Sequence, residues 1–212
     1  MKIECDRVND TFEQIFDGVY GYHKPYNHMT ADLNGRVALI TGASGMIGGE
    51  TAKLMAASGA KIAIWDINDE AGAERVAKIE AAGGEAKYYH VNLGDRADVK
   101  AVFDRFIQDF GRIDILFGNG GGNWGNRKPV TEFDDEKYAI NINVNLHGGT
   151  YMLAKLAIPY MIKQGGGSIM FTSISSSLAH SRNKGVQWDA VRNITPGILI
   201  GTFGPRIHIV TY

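Results

Sequence analysis

The stretch Val37-Ala38-Leu39-Ile40-Thr41-Gly42-Ala43-Ser44-Gly45-Met46-Ile47-Gly48 runs from a short apolar segment straight into glycines at 42, 45 and 48. Beyond it, Ile47, Thr51, Leu54 and Ser58 recur at helical spacing, and Gly59 stands where a helix would stop. The pattern predicts a strand, a tight glycine turn and a helix. Each glycine has a physical use there. Without a Cβ the chain can turn sharply, approach a pyrophosphate and seat the helix against the strand, with the helix N-terminus aimed at the phosphates. A branched side chain at Gly42 is expected to fill the pyrophosphate space and leave the sheet folded.

Outward from this unit, apolar runs alternate with helical periods: KIAIWD at 61–66, AKYYHVN at 86–92, IDILFGN at 113–119 and GSIMFTS at 167–173. Gly72, Val76, Ile79 and Gly83 repeat the helical spacing between the second and third runs. Apolar strands separated by helices imply a parallel sheet covered on both faces, and right-handed crossovers leave few topologies. The expected fold is α/β, a Rossmann-type doubly wound parallel sheet forming a single domain over residues 35–212. Residues 1–34, with Phe12, Phe16, Tyr20, Tyr22 and Tyr26 in no clear period, read as an N-terminal extension packed on the domain or contacting a partner. No internal repeat is visible.

Composition agrees. The 212 residues are 44% hydrophobic and 21% charged, enough for one sizeable core. With 22 basic and 23 acidic residues, a net charge of −1 and no charge runs, nothing attracts nucleic acid or anionic lipid. The single cysteine, Cys5, fits a reducing compartment and no zinc spacing, so no metal site is expected. No stretch reaches the ~18 apolar residues of a membrane span, and a cytoplasmic protein is expected.

The second strand ends in Trp65-Asp66, where a carboxylate can accept hydrogen bonds from adenosine ribose hydroxyls and would repel a 2′-phosphate. Arg36 and Lys61 are the nearest cations in sequence, and neither occupies the loop. NAD is therefore expected over NADP. Asp66 could instead cap the next helix, but Asn68 is better placed to do so.

These motifs resemble those of the short-chain dehydrogenase/reductase family. TGASGMIG is similar to its TGxxxGxG loop, with Gly45 and Met46 where that loop has x and Gly; Asn92 in HVNLGD falls beside the adenine position. Gly118-Asn119-Gly120-Gly121 stands for NNAG, Asn145 in NVNLHG for the family's helix asparagine, and GGGSIMFTSISSS for its fifth strand. The resemblance runs from about Leu33 to Ser177. It implies a cofactor-binding set of Gly42, Ser44, Met46, Ile47 and Gly48, Asp66 and Ile67, Asn92 and Leu93, Asn119, Gly120 and Gly121, and Pro196 and Gly197. It also implies an NAD(H)-dependent hydride transfer to or from an alcohol or carbonyl substrate, and a homo-oligomer.

The family's serine, tyrosine and lysine are harder to place. Ser175 is the candidate serine by a one-residue shift, with Asn145 supporting the proton relay. The Tyr-x-x-x-Lys motif is expected to be absent from the chain altogether, with no tyrosine between Tyr160 and Tyr212. One alignment puts Trp188 and Arg192 in the motif, and tryptophan cannot serve as the acid. A second reads Val191–Gly197, followed by Thr202, as the sixth strand and implies that about twenty residues holding the catalytic helix are absent, with a break between about His180 and Val191. The second matches more residues. The alternative function is a non-catalytic NAD(H)-binding relative lacking the pair. Asn123, Trp124 and Asn126 are expected near the mouth of the site.

Overall fold

The computed structural model describes residues 32–124, 130–172 and, for the backbone, 207–211. Strands β1 (Val37–Thr41), β2 (Lys61–Asp66), β3 (Glu85–His90), β4 (Ile115–Gly118), β5 (Gly167–Phe171) and β6 (Ile207–Thr211) form one sheet in the order β3-β2-β1-β4-β5-β6. Every pairing is parallel. The chain works outward from β1 to β3 and then returns to β4 on the other side of β1. The strand order therefore reverses between β1 and β4, which opens a crevice beyond their carboxyl ends.

Strand periodicity divides the core. Val37 and Leu39 of β1, with Ala63 and Trp65 of β2, join helices α3 (Arg96–Phe110) and α5 (Leu153–Lys163) on one face. Ala38, Ile40, Ile62 and Ile64 join α1 (Met46–Ala57) and α2 (Asp69–Ala81) on the other. Both faces of β1 and β2 are thus covered, which is why their sequences are unbroken apolar runs. β3, at the sheet edge, exposes Glu85, Lys87 and His90.

Helix α4 (Asp135–Asn141) continues through wider, π-helical turns over Ile142–Met152 into α5. The loosening coincides with two glycines that let backbone come close. A Cβ on Gly148 would lie 1.7 Å from the Leu93 carbonyl oxygen, and one on Gly149 2.5 Å from that of Val144.

Two features were not legible in the sequence pattern. The buried face of α1 is Gly48, Gly49, Ala52, Met55 and Ala56, while Ile47 is 60% and Leu54 37% exposed. Close approach of helix to sheet selects the small side chains, and the larger ones turn outward. On the side away from β4, β5 pairs with Ile207–Thr211, a strand the motif pattern did not single out; Val191–Gly197, the run expected as the sixth strand, lies outside the described residues. Thirty-five residues, 172–206, therefore join β5 to β6. The interval from His180 to Val191, where the break is expected, lies outside the described residues.

Candidate functional site

At the crevice, β1 leads into Gly42, whose φ of +64° is one that L side chains rarely adopt. Its amide donates to the Trp65 carbonyl at 2.8 Å. A Cβ there would meet Gly120 Cα at 2.8 Å and Asn119 Nδ2 at 3.1 Å, and a Cβ on Gly48 would meet the Gly42 carbonyl oxygen at 2.4 Å. A side chain at Gly42 would thus strike the exit of β4, and the expectation that it would only fill pyrophosphate space is corrected. Thr41 Oγ1 accepts from the Gly120 amide at 2.8 Å, drawing the ends of β1 and β4 together.

Helices α2, α3 and α4 begin with side-chain caps from Asn68, Asp95 and Asp134. At α1 the N-cap is Gly45, with no side-chain cap and no acidic residue in the first turn. Its first-turn N–H groups face the glycine loop, where the helix dipole favours an anion. Met46 and Ile47 are 83% and 60% exposed beside them. The donors and the open approach fit a pyrophosphate.

Asp66, at the end of β2, reaches back to this loop. One carboxylate oxygen accepts from the Ser44 amide at 3.1 Å; the other accepts from Ile67 at 2.8 Å and Asn68 at 3.2 Å. Asn68 caps α2, accepting from the Ala71 amide at 3.1 Å. Arg75 is a neighbour that sequence spacing did not bring forward. Its guanidinium lies 3.5 and 3.4 Å from the Ser44 and Gly45 carbonyl oxygens and 3.5 Å from Glu50. A Cβ on Gly49 would overlap it. The signal was available: Arg75 falls on the α2 face of Gly72, Val76 and Ile79. Arg36 and Lys61, by contrast, pair with Asp114 and Glu85 at the opposite end of the sheet.

Asn92 lies at the end of β3, where its side chain accepts from the Gly94 amide at 2.9 Å and its own amide donates to Asp98. Leu93 packs on Gly120. Past β4, Asn119 accepts from the Thr172 hydroxyl at 2.9 Å and donates to the Gly42 carbonyl at 3.5 Å, linking the exits of β5, β4 and β1. Gly121 leads into a segment held by Asn145, whose side chain accepts from the Gly122 amide at 3.0 Å and donates to its carbonyl at 2.8 Å.

The structure thus gathers Gly42, Ser44, Gly48, Asp66, Asn119, Gly120 and Asn145 along one sheet edge. Ser175, Trp188, Arg192, Pro196 and Gly197 lie outside the described residues, as does Asn126. The expectation that Tyr-x-x-x-Lys spacing is absent from the chain is corrected: it occurs at Tyr20 and Lys24, outside the described residues, and at Tyr151 and Lys155, with the Lys155 ammonium 5.7 Å from the Tyr151 ring centre. Tyr151 lies six residues beyond Asn145 on the helix that runs back from the carboxyl edge, and it is 41% exposed. This pair does not join the site. Among the described residues no cluster of metal-binding side chains occurs, and no helix is long and apolar enough to cross a membrane.

The profile of the short chain dehydrogenase family matches residues 36–187. The chain is 35% identical over 188 residues to tropinone reductase-like 1 of Erythroxylum coca, covering 84% of this chain and 67% of that protein. A structure of NAD+-bound xylitol dehydrogenase superposes with a TM-score of 0.68 at 30% identity, over 81% of this chain and 63% of that one. A metagenomic short-chain oxidoreductase in complex with NADP does so with a TM-score of 0.73 at 25% identity, over 85% and 83%. The chain spans about two thirds of the length of curated relatives that it matches. A match over most of the chain, on the sheet order and glycine loop described above, places it: this chain belongs to the short-chain dehydrogenase family of oxidoreductases.

Proposed function

We propose that the protein binds NAD(H) in preference to NADP(H) and transfers a hydride between the nicotinamide and an alcohol or carbonyl substrate. The observation that carries the reading is the Asp66 carboxylate at the carboxyl end of β2, hydrogen-bonded to the Ser44 amide of the glycine loop. At that position an acceptor suits ribose hydroxyls, and its charge opposes a 2′-phosphate. Arg75, the cation nearest the loop among those described, is engaged by loop carbonyls and Glu50.

In this reading the uncapped start of α1, with Gly42, Ser44, Met46, Ile47 and Gly48, receives the pyrophosphate, and Ile67, Asn92 and Leu93 border the adenine. Asn119, Gly120 and Gly121 border the nicotinamide side, as do Pro196 and Gly197 by family resemblance. Bound there, the nicotinamide supplies or accepts the hydride. Ser175 polarises the substrate oxygen, and Asn145 supports the proton path. Fluorescence titration with NADH and NADPH tests the reading: NADH should bind more tightly, and equal or tighter binding of NADPH overturns the preference.

A further inference from the structure

Two asparagines one turn apart on the helix after β4 hold the same segment, Gly122–Trp124. Asn145 pairs with both the amide and the carbonyl of Gly122. Asn141 does the same for Trp124, accepting from its amide at 3.1 Å and donating to its carbonyl at 2.6 Å, with a further bond to the Lys137 carbonyl at 2.7 Å. The two rungs lie four residues apart on the helix and two residues apart on the segment, so the peptides of Gly122 and Trp124 turn the same side to the helix. A carboxamide presents one acceptor edge and one donor edge, as a peptide does, so the two side chains act as successive rungs against alternate peptides.

Both asparagines are buried, at 1% and 4% exposure. A buried amide is costly unless paired, so each rung is specified by its partner. The bond from Asn141 to Lys137 is a local one within the helix. Those to Trp124 join segments seventeen residues apart and have no role in forming the helix. Trp124 then folds its indole over Gly122: a Cβ on Gly122 would meet the ring at 2.7–3.0 Å. The indole is still 37% exposed. It lies against the peptide that Asn145 holds.

We propose that Asn141 is a positioning residue. With Asn145 it straps Gly122–Trp124 along the helix and fixes the Trp124 indole as an aromatic wall at the nicotinamide end of the site. The placement of that wall rests on the NAD(H) reading above; the strap itself does not.

The test uses the full chain labelled with 5-fluorotryptophan, in which Trp65, Trp124 and Trp188 give three fluorine resonances. Trp124→Phe assigns one, and Trp65→Phe the buried reference. In Asn141→Leu, and in Asn141→Asp, which keeps shape and acceptor but loses the donor, the Trp124 line should shift or broaden while the Trp65 line stays put. No change at Trp124 in either variant, or equal movement of both lines, overturns the strap. In the wild type, NADH should shift the Trp124 line. Binding of NADH seen by its own fluorescence, with the Trp124 line unmoved, overturns the wall. Absence of NADH binding instead sinks the cofactor reading, and the strap is still decided by the two variants without ligand.

Discussion

Gly42 and Gly120 meet where β1 and β4 leave the sheet, so closely that a Cβ on Gly42 would stand 2.8 Å from Gly120 Cα. The neighbour is backbone and cannot rotate away. Gly42→Ala should therefore destabilise the fold by about 1–3 kcal/mol, from the positive φ and the contact together, and Gly42→Val by more. Thermal unfolding checks this. A Gly42→Ala protein with an unchanged midpoint would show that the two strand exits separate freely.

Asp66 has two roles that can be separated. Its carboxylate accepts backbone N–H bonds from Ser44, Ile67 and Asn68, and its charge would face the 2′ position of a bound adenosine. Asp66→Asn keeps a carbonyl acceptor and removes the charge. The ratio of NADPH to NADH dissociation constants should fall by about 5- to 30-fold, corresponding to about 1–2 kcal/mol. A ratio that does not change would locate cofactor preference elsewhere.

Arg75 braces the glycine loop from outside, through the carbonyls of Ser44 and Gly45 and over the bare Cα of Gly49. These contacts are long and partly exposed, so the expected loss in Arg75→Met is modest, about 0.5–1.5 kcal/mol of binding. NADH and NADPH should weaken equally, because the guanidinium is bound to the loop. A larger loss for NADPH alone would mean that Arg75 meets the phosphate.

At the far end of the sheet, Asp114 is 5% exposed. Burial pushes its pKa up, but bonds from Arg112, the Val37 amide and Arg36 outweigh that and hold it below the ordinary carboxylate range. A pKa lower in the folded state than in the unfolded one contributes stability above the unfolded value. That contribution is lost as pH falls through the folded value, below about pH 4. Asp114→Asn should cost about 1.5–3 kcal/mol near neutrality and flatten the stability profile in that acid range. Denaturant unfolding at pH 7 and at pH 3 measures both.

The sequence by itself determined the elements whose signal is local. VALIT and KIAIWD became β1 and β2 with the boundaries expected, because strands covered on both faces must be apolar throughout. Asn68 caps α2, and Gly59 follows α1 with φ +93°, since capping and left-handed turns depend on one or two residues. The positions of Gly42, Asp66, Asn119 and Asn145 followed from those elements.

Tertiary structure decided whatever depends on how closely distant segments approach. Helical period in α1 allowed Ile47 and Leu54 to face inward; contact with the sheet instead chose Gly48, Ala52 and Ala56, which let the helix lie closer. Arg75 reaches the glycine loop because Gly49, 26 positions earlier, leaves room for it. Asn141 finds Trp124 because the segment after β4 runs along its helix, seventeen residues away in sequence. On the side away from β4, β5 pairs with Ile207–Thr211, well beyond the run that the motif pattern favoured. Strand pairing is a long-range choice, and a pattern read along the chain carries no information about which later segment the sheet edge will accept.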